Sequence, residues 1–213
     1  MQLIENPWGV TAFGAASVKS KPDLVRVRFE VSRIEPQPAE AFALVNETVR
    51  AVRRVLRDHG VPDSAVQRSG LDLSTAWNGY GADRTFRGHE CTASLVVESR
   101  NLDDTQQLLT ELIAAGVTEI KSVDFDTVTK PDLRARARRE AVAAARRKAE
   151  LYADAAGVRL GQVVHIEDVD PERPGAERHR GHGGGGETSA EDLAPGQVVV
   201  SAAVTLGFAI AAG

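Results

Sequence analysis

Apolar and polar residues alternate along several stretches of the chain, as they do in strands that bury one face. Within residues 25–31 a valine or phenylalanine stands at every second position, and residues 91–97 repeat the pattern. Residues two apart share one face of a strand, so each stretch predicts an amphipathic strand. Residues 198–210 alternate over the greatest length, which predicts a long strand in the middle of a sheet.

Weaker patterns predict further strands at residues 10–18, 65–74, 120–125 and 163–166. A Lys-Pro-Asp turn at 21–23 joins the first of them to the strand at 25–31 as a hairpin. A tip rich in Gly, Asn and Asp at 78–83 joins strand 65–74 to a strand at 85–98. The aromatic residues at this tip, Trp77 and Tyr80, are expected to pack over the hairpin base or to meet a neighbouring subunit.

Apolar residues at every third or fourth position predict two helices. The first opens at Pro36 and Pro38 and stops at Gly60, and the second lies between Asn101 and Gly116. The apolar stripe of the first consists of Phe42, Val45, Val49, Val52 and Leu56, and that of the second of Leu102, Leu108, Leu109, Leu112 and Ile113.

A third and longest helix is predicted from 129–132 to about Ala156, with Gly157 as its stop. Alanine recurs throughout this segment, and short side chains favour helix formation and close packing against a sheet. Its buried face is predicted to consist of Leu133, Ala137, Ala141, Ala144, Ala145, Leu151, Tyr152 and Ala155.

The resulting order, β-β-α-β-β-α-β-α-β-β, indicates the α+β class. We expect a mainly antiparallel sheet of about seven strands with three helices packed on one side. The 213 residues suit one domain, 1–213. The order does not indicate a βαβ nucleotide-binding fold.

A polar segment at about 168–194 has too few apolar residues to offset the entropy lost on ordering, so it is predicted to be a flexible loop. The loop carries His179 and His182 beside Glu177 and Glu187. Two histidines without cysteine or further histidine partners do not form a dedicated metal site. The glycines at 183–186 lack the Lys-Ser/Thr pair of a phosphate loop, so neither a metal nor a cofactor is predicted.

Charge and composition exclude little. A formal net charge of −4 gives no overall field that would attract nucleic acid or an anionic membrane. No stretch reaches the roughly 20 apolar residues of a membrane span. The first nine residues lack the basic and apolar regions of a secretory signal, so the sequence as given predicts a cytoplasmic protein.

Five short motifs, in order along the chain, resemble the SIMPL family of YggE-like proteins, long described as a domain of unknown function. The most specific runs from the Arg-rich helix through Arg-Arg-Lys-Ala-Glu at 146–150 into Ala-Ala-Gly-Val-Arg-Leu-Gly at 155–161. The others are the opening hairpin at 10–25, His-Gly-Val at 59–61, the segment 112–120, and Pro-Gly at 195–196 before the last strand.

The resemblance implies an α+β fold and homo-oligomers, ring-like or channel-like in some bacterial members. It also implies links with oxidative-stress tolerance and, in animal members, with binding a signalling kinase. The family has no agreed catalytic residues, so no catalytic, cofactor-binding or metal residues are assigned. The leading hypothesis is therefore a non-enzymatic, self-assembling protein whose further protein partner is unknown.

Two alternatives come from the residues themselves. The third helix carries the basic residues Arg134, Arg136, Arg138, Arg139, Arg146, Arg147 and Lys148, which suit phosphate contacts. They occupy more than one face, lack aromatic stacking partners and lie near Glu140, Glu150 and Asp154, so nucleic-acid binding is only the alternative. An enzyme is the third hypothesis, since His89 and Cys91 share a face of one strand, although an apolar surrounding favours Cys91 as a buried residue.

Overall fold

The computed structural model describes residues 9–79, 84–169 and 196–211. Its strands are β1 (Gly9–Ser20), β2 (Leu24–Glu35), β3 (Val66–Asn78), β4 (Thr85–Ser99), β5 (Glu119–Asp126), β6 (Arg159–Val169) and β7 (Val198–Ala211). Its helices are α1 (Pro38–Asp58), α2 (Thr105–Ala114) and α3 (Lys130–Ala155), with a short 3-10 helix at Asp63–Ala65. The predicted α+β class and element order are confirmed.

The strands form two antiparallel sheets, where the sequence predicted one. Their orders are β1-β7-β6 and β3-β4-β2-β5, and the chain divides into two compact units accordingly. Alternation identifies a strand but not its neighbours, which is why the division was not predicted. That residues 1–213 make a single domain stays a prediction.

The three-stranded unit contains described residues 9–21, 128–169 and 197–211. Strand β7 lies in its middle, as predicted, and α3 packs on β1 and β7. The inner row of α3 consists of Ala137, Ala141, Ala145, Ala149 and Ala153, all buried. A methyl group added at Gly14 of β1 would clash with the carbonyl oxygen of Ala141, so α3 and β1 approach closely at this point.

This close approach corrects the predicted face of α3. Leu151 and Tyr152, expected inside, are exposed, while Ala149 and Ala153 are buried instead. Only small side chains fit between the two backbones, so the alanine row turns inward and the larger residues turn outward.

The four-stranded unit contains described residues 22–79 and 84–127, together with Gly196. Its core lies between one sheet face and the helices α1 and α2, and it combines the alternate residues of β2 and β4 with Val45, Val52 and Leu112. Phe42 and Ile113, predicted in the two apolar stripes, are exposed. Gly60, with φ of +73°, follows the end of α1, as expected of a helix-ending glycine.

Candidate assembly surface

Strand β3 forms one edge of the four-stranded sheet, and no other strand in the described ranges pairs with its outer side. Its residues 68–76 pair with β4 without any irregularity. A strand edge presents a row of backbone N–H and C=O groups that can pair with another chain. Natural proteins usually protect such edges with bulges, charges or prolines. This stretch contains neither a bulge nor a proline, and its charged residues are one of each sign, Arg68 and Asp72.

One face of β3 carries two exposed leucines among polar residues. Leu71 and Leu73 lie directly opposite Ala93 and Cys91 of β4, so they point to the face of the sheet that the helices cover. Because α1 packs on β2 and β4, this edge extends past the helix, and the two leucines are 51% and 46% exposed. Large apolar side chains exposed in a row indicate an interaction surface.

Aromatic residues continue this surface toward the end of the β3–β4 hairpin. The ring of Trp77 contacts that of Phe86 edge-on, with centroids 5.8 Å apart, and both rings are about half exposed. The guanidinium of Arg84 lies 5.1 Å above the Trp77 ring. Trp77 thus packs within the hairpin, as one of its two predicted roles requires, whereas Tyr80 lies outside the described residues.

The opposite face of β3 is polar. Arg68, Gly70 and Asp72 border a shallow groove of about 430 Å³ that Arg28 and Lys121 also line. In the described part of the chain no ion pair involves Arg68 or Asp72. Both signs of charge line the groove, so it lacks the uniform field that would select one kind of small ion.

The other sheet edges differ from β3. Strand β3 has shifts in register only outside residues 68–76. In β5 and β6 the shifts leave the shorter regular stretches 122–126 and 165–169, and such irregularities protect an edge from pairing. Strand β1 carries none of the exposed large apolar side chains found in the described residues. Lys148 of α3 also donates to the carbonyl of Phe13 in β1. Edge β3 is therefore the one that combines regular pairing with exposed leucines.

A histidine cluster connects α1 to α2 in the same unit. His59, just after α1, places Nδ1 2.6 Å from Asp104 Oδ2 and Nε2 3.0 Å from Glu111 Oε2. The hydrogen bonds to Asp104 and then Glu111 raise the pKa of His59. Hydrogen bonds from Gln107 and then His59 lower the pKa of Glu111. Since both ring nitrogens are occupied, the cluster acts as a charged clamp rather than as a base.

The predicted pair of His89 and Cys91 does share a face of β4, since the two are separated by one residue of the strand. Cys91 is completely buried. Burial, with a smaller contribution from Asp72, raises the pKa of its thiol. An activated nucleophile needs a lowered thiol pKa, so this site favours the structural role of Cys91.

The remaining candidates are distributed as follows. His179, His182, Glu177, Glu187 and the glycines at 183–186 lie outside the described residues, as does the loop at 168–194 apart from Asp168 and Val169. Within the described ranges no group of three or more His, Cys, Asp or Glu side chains is placed to hold a metal ion. On helix α3, Arg136 Nε lies 2.9 Å from Glu140 Oε1, and Arg138 Nη2 lies 3.0 Å from Asp168 Oδ2. That this helix binds nucleic acid stays a prediction.

The fold places the chain among α+β proteins built from helix-backed antiparallel sheets. Within this class it belongs to the SIMPL family, described as "Protein of unknown function (DUF541)", whose family model matches residues 10–208. The family resemblance predicted from the five motifs is thereby confirmed.

Relatives with curated names support this assignment. The 26 kDa periplasmic immunogenic protein of Brucella abortus is 28% identical over 79% of this chain and 69% of its own length. The uncharacterized protein YggE of Edwardsiella ictaluri is 29% identical over 80% of this chain and 73% of its own. YggE of Escherichia coli K12 is 24% identical, with coverage of 80% and 70%. None of these names states an enzymatic activity.

These names correct the predicted location. Two Brucella relatives are named as periplasmic proteins, whereas the cytoplasmic prediction rested on the first nine residues alone, and it is wrong. Among the helices within the described ranges, none has the length and apolar character needed to cross a membrane.

Proposed function

We propose that this protein works in the periplasm, without catalysis, as an assembly of identical subunits joined through β3. The observation that carries the proposal is the regular edge at 68–76 with Leu71 and Leu73 half exposed beside it. Pairing two such edges satisfies backbone groups and buries apolar surface together. The periplasmic relatives support the location.

Static light scattering of the purified chain tests the assembly. At micromolar concentration we expect a mass of two or more subunits. Replacing Leu71 and Leu73 together by Lys is expected to reduce it to one subunit, because ammonium groups at the edge cannot be buried in an apolar contact. The control replaces Val164 and Ile166, which are even more exposed on β6, by Lys. A wild-type chain that is monomeric would contradict the proposal.

The cellular role is tested in a strain lacking the gene. The family resemblance links such proteins to oxidative-stress tolerance, and we propose that this tolerance depends on assembly. The wild-type gene is expected to restore survival in peroxide, and the Leu71→Lys, Leu73→Lys variant to restore it poorly at equal protein level. Fractionation of the same cells checks the location, and recovery in the cytoplasmic fraction would contradict a periplasmic site.

A further inference from the structure

The geometry points to one arrangement of the proposed assembly. Two copies of β3 pair antiparallel about a two-fold axis that passes midway between the two copies of Leu71. Leu71 then faces its own counterpart, and Arg68 of each copy reaches Asp72 of the partner subunit. This inference rests on the proposed self-assembly and specifies its register.

Symmetry restricts the choice of register. A two-fold axis perpendicular to the sheet keeps every side chain on its own face, so directly opposite residues are both odd-numbered or both even-numbered. Each register therefore has one central residue that lies directly opposite its own counterpart, with the axis midway between the two copies. Four centres place Arg68, Asp72 and both leucines opposite residues of β3 (Val66–Asn78), namely Gly70, Leu71, Asp72 and Leu73.

Two of these centres conflict with the charges. An axis at Asp72 places that carboxylate directly opposite itself, and like charges in this position are destabilising. An axis at Leu73 places Asp72 opposite Ser74 and Arg68 opposite Asn78, so neither charge approaches an opposite one. The charges of the exposed strand β3 would then contribute nothing to its pairing with the second copy.

The centre at Gly70 satisfies the charges but separates the leucines. Arg68 would lie opposite Asp72, as a cross-strand ion pair. On the face that carries the leucines, however, Leu71 would lie opposite Ser69 and Leu73 opposite Gln67. The two most exposed leucines of the edge would then face polar side chains.

The centre at Leu71 satisfies both faces. Leu71 lies opposite its counterpart. Leu73 lies opposite Ser69 but is diagonal to Leu71 of the partner subunit, within reach across a strand pair, so this centre brings the leucines of the two copies together. On the polar face Gly70 lies opposite Asp72. A side chain at Gly70 would meet nothing within 4 Å, so this gap leaves room for Arg68, two residues away, to reach Asp72 of the partner subunit diagonally.

Disulfide cross-linking tests the register in the full chain. Cys91 is first replaced by Ala, because Leu73 is its direct partner in the β3–β4 ladder and a cysteine there would link to it internally. Gly70→Cys, Leu71→Cys and Leu73→Cys are then oxidised separately with diamide. Directly opposite residues lie about 4.5–5.5 Å apart between Cα atoms, within disulfide range.

We expect Leu71→Cys to give a linked dimer most rapidly and Leu73→Cys to give none. Fastest linking of Gly70→Cys or Leu73→Cys would move the axis to that residue. Linking only in a mixture of Leu71→Cys with Leu73→Cys would place it at Asp72. Each of these results overturns the inference while leaving the assembly intact. Absence of links in a chain that light scattering finds oligomeric excludes β3 pairing, and a monomer contradicts the proposed function itself.

Charge reversal tests the ion pair independently. Arg68→Asp or Asp72→Arg alone places like charges near each other twice per dimer, and we expect about tenfold weaker dimerisation. The double variant Arg68→Asp, Asp72→Arg restores both pairs and is expected to return to the wild-type dissociation constant. Single reversals without effect would show that Arg68 does not meet Asp72.

Discussion

At the scale of single residues, His59 is buried and held at both ring nitrogens. Its side chain is 8% exposed and is held by Asp104 and Glu111. The imidazolium form is favoured because both partners are carboxylates, which accept but do not donate hydrogen bonds when ionised. The clamp joins the end of α1 to α2, so protonation of one ring contributes to the packing of two helices.

We expect the stability contributed by His59 to depend on pH. Because its pKa is raised above the ordinary 6.5, the contribution is complete below about pH 6.5 and is lost as pH rises through the raised value. Glu111, whose pKa is lowered from 4.5, keeps its contribution above about 4.5. Near pH 5.5 both are complete, and there His59→Gln is expected to cost on the order of 1–3 kcal/mol.

Urea unfolding of wild type and His59→Gln at about pH 5.5, 7 and 8.5 measures this difference. The gap between the two free energies of unfolding is expected to shrink toward alkaline pH. The matched control is His165→Gln, which replaces an exposed histidine of β6. It is expected to leave the free energy of unfolding unchanged at all three pH values. A gap that stays constant over this range would show that His59 does not titrate there.

At the scale of elements, the packing of α3 on β1 depends on the absence of a side chain at Gly14. A methyl group added at Gly14 would clash with the Ala145 nitrogen as well as with the Ala141 carbonyl oxygen. Both contacts are to backbone atoms, which cannot move aside as a flexible side chain would. The alanine row of α3 and Gly14 of β1 therefore form one feature, built from two segments more than 120 residues apart in the sequence.

Gly14→Ala is expected to lower the free energy of unfolding by about 1–3 kcal/mol, because overpacking forces the backbones apart. Thermal or urea unfolding, followed by circular dichroism, measures the loss. Ala15→Ser, at the adjacent exposed position of β1, is the control and is expected to change it by less than about 0.5 kcal/mol. Equal stability of both variants would contradict the close approach of α3 and β1.

At the scale of the whole molecule, stability and assembly are linked. If subunits pair through β3, mass action favours the folded, paired state as the protein concentration rises. The melting temperature of the wild type is then expected to increase by a few degrees between about 1 and 100 μM. Leu71→Lys with Leu73→Lys is expected to remove this increase. A wild-type melting temperature that is independent of concentration would contradict a reversible assembly in this range.

Most strands and helices could be predicted from the local pattern of apolar and polar residues, whereas the proposed assembly surface on β3 could not. The alternation at 91–97 and 198–210 located β4 and β7 because a half-buried strand leaves its period in the sequence. Leu71 and Leu73 alternate in the same way, yet they are exposed. Their exposure depends on which strands the helix covers, and α1 packs on β2 and β4. His59, Asp104 and Glu111 carry no local signal, because the clamp joins residues from separate helices.

The class, the order of strands and helices, and the family follow from the sequence, because these depend on short-range periodicity and on ordered motifs. The division into two sheets, the outward position of Leu151 and Tyr152 on α3, and the place of β3 at an edge emerged only from the three-dimensional contacts. The physical reason is that strand pairing and helix rotation are set by contacts between distant segments. Periodicity within one segment carries no information about which other segment will cover it.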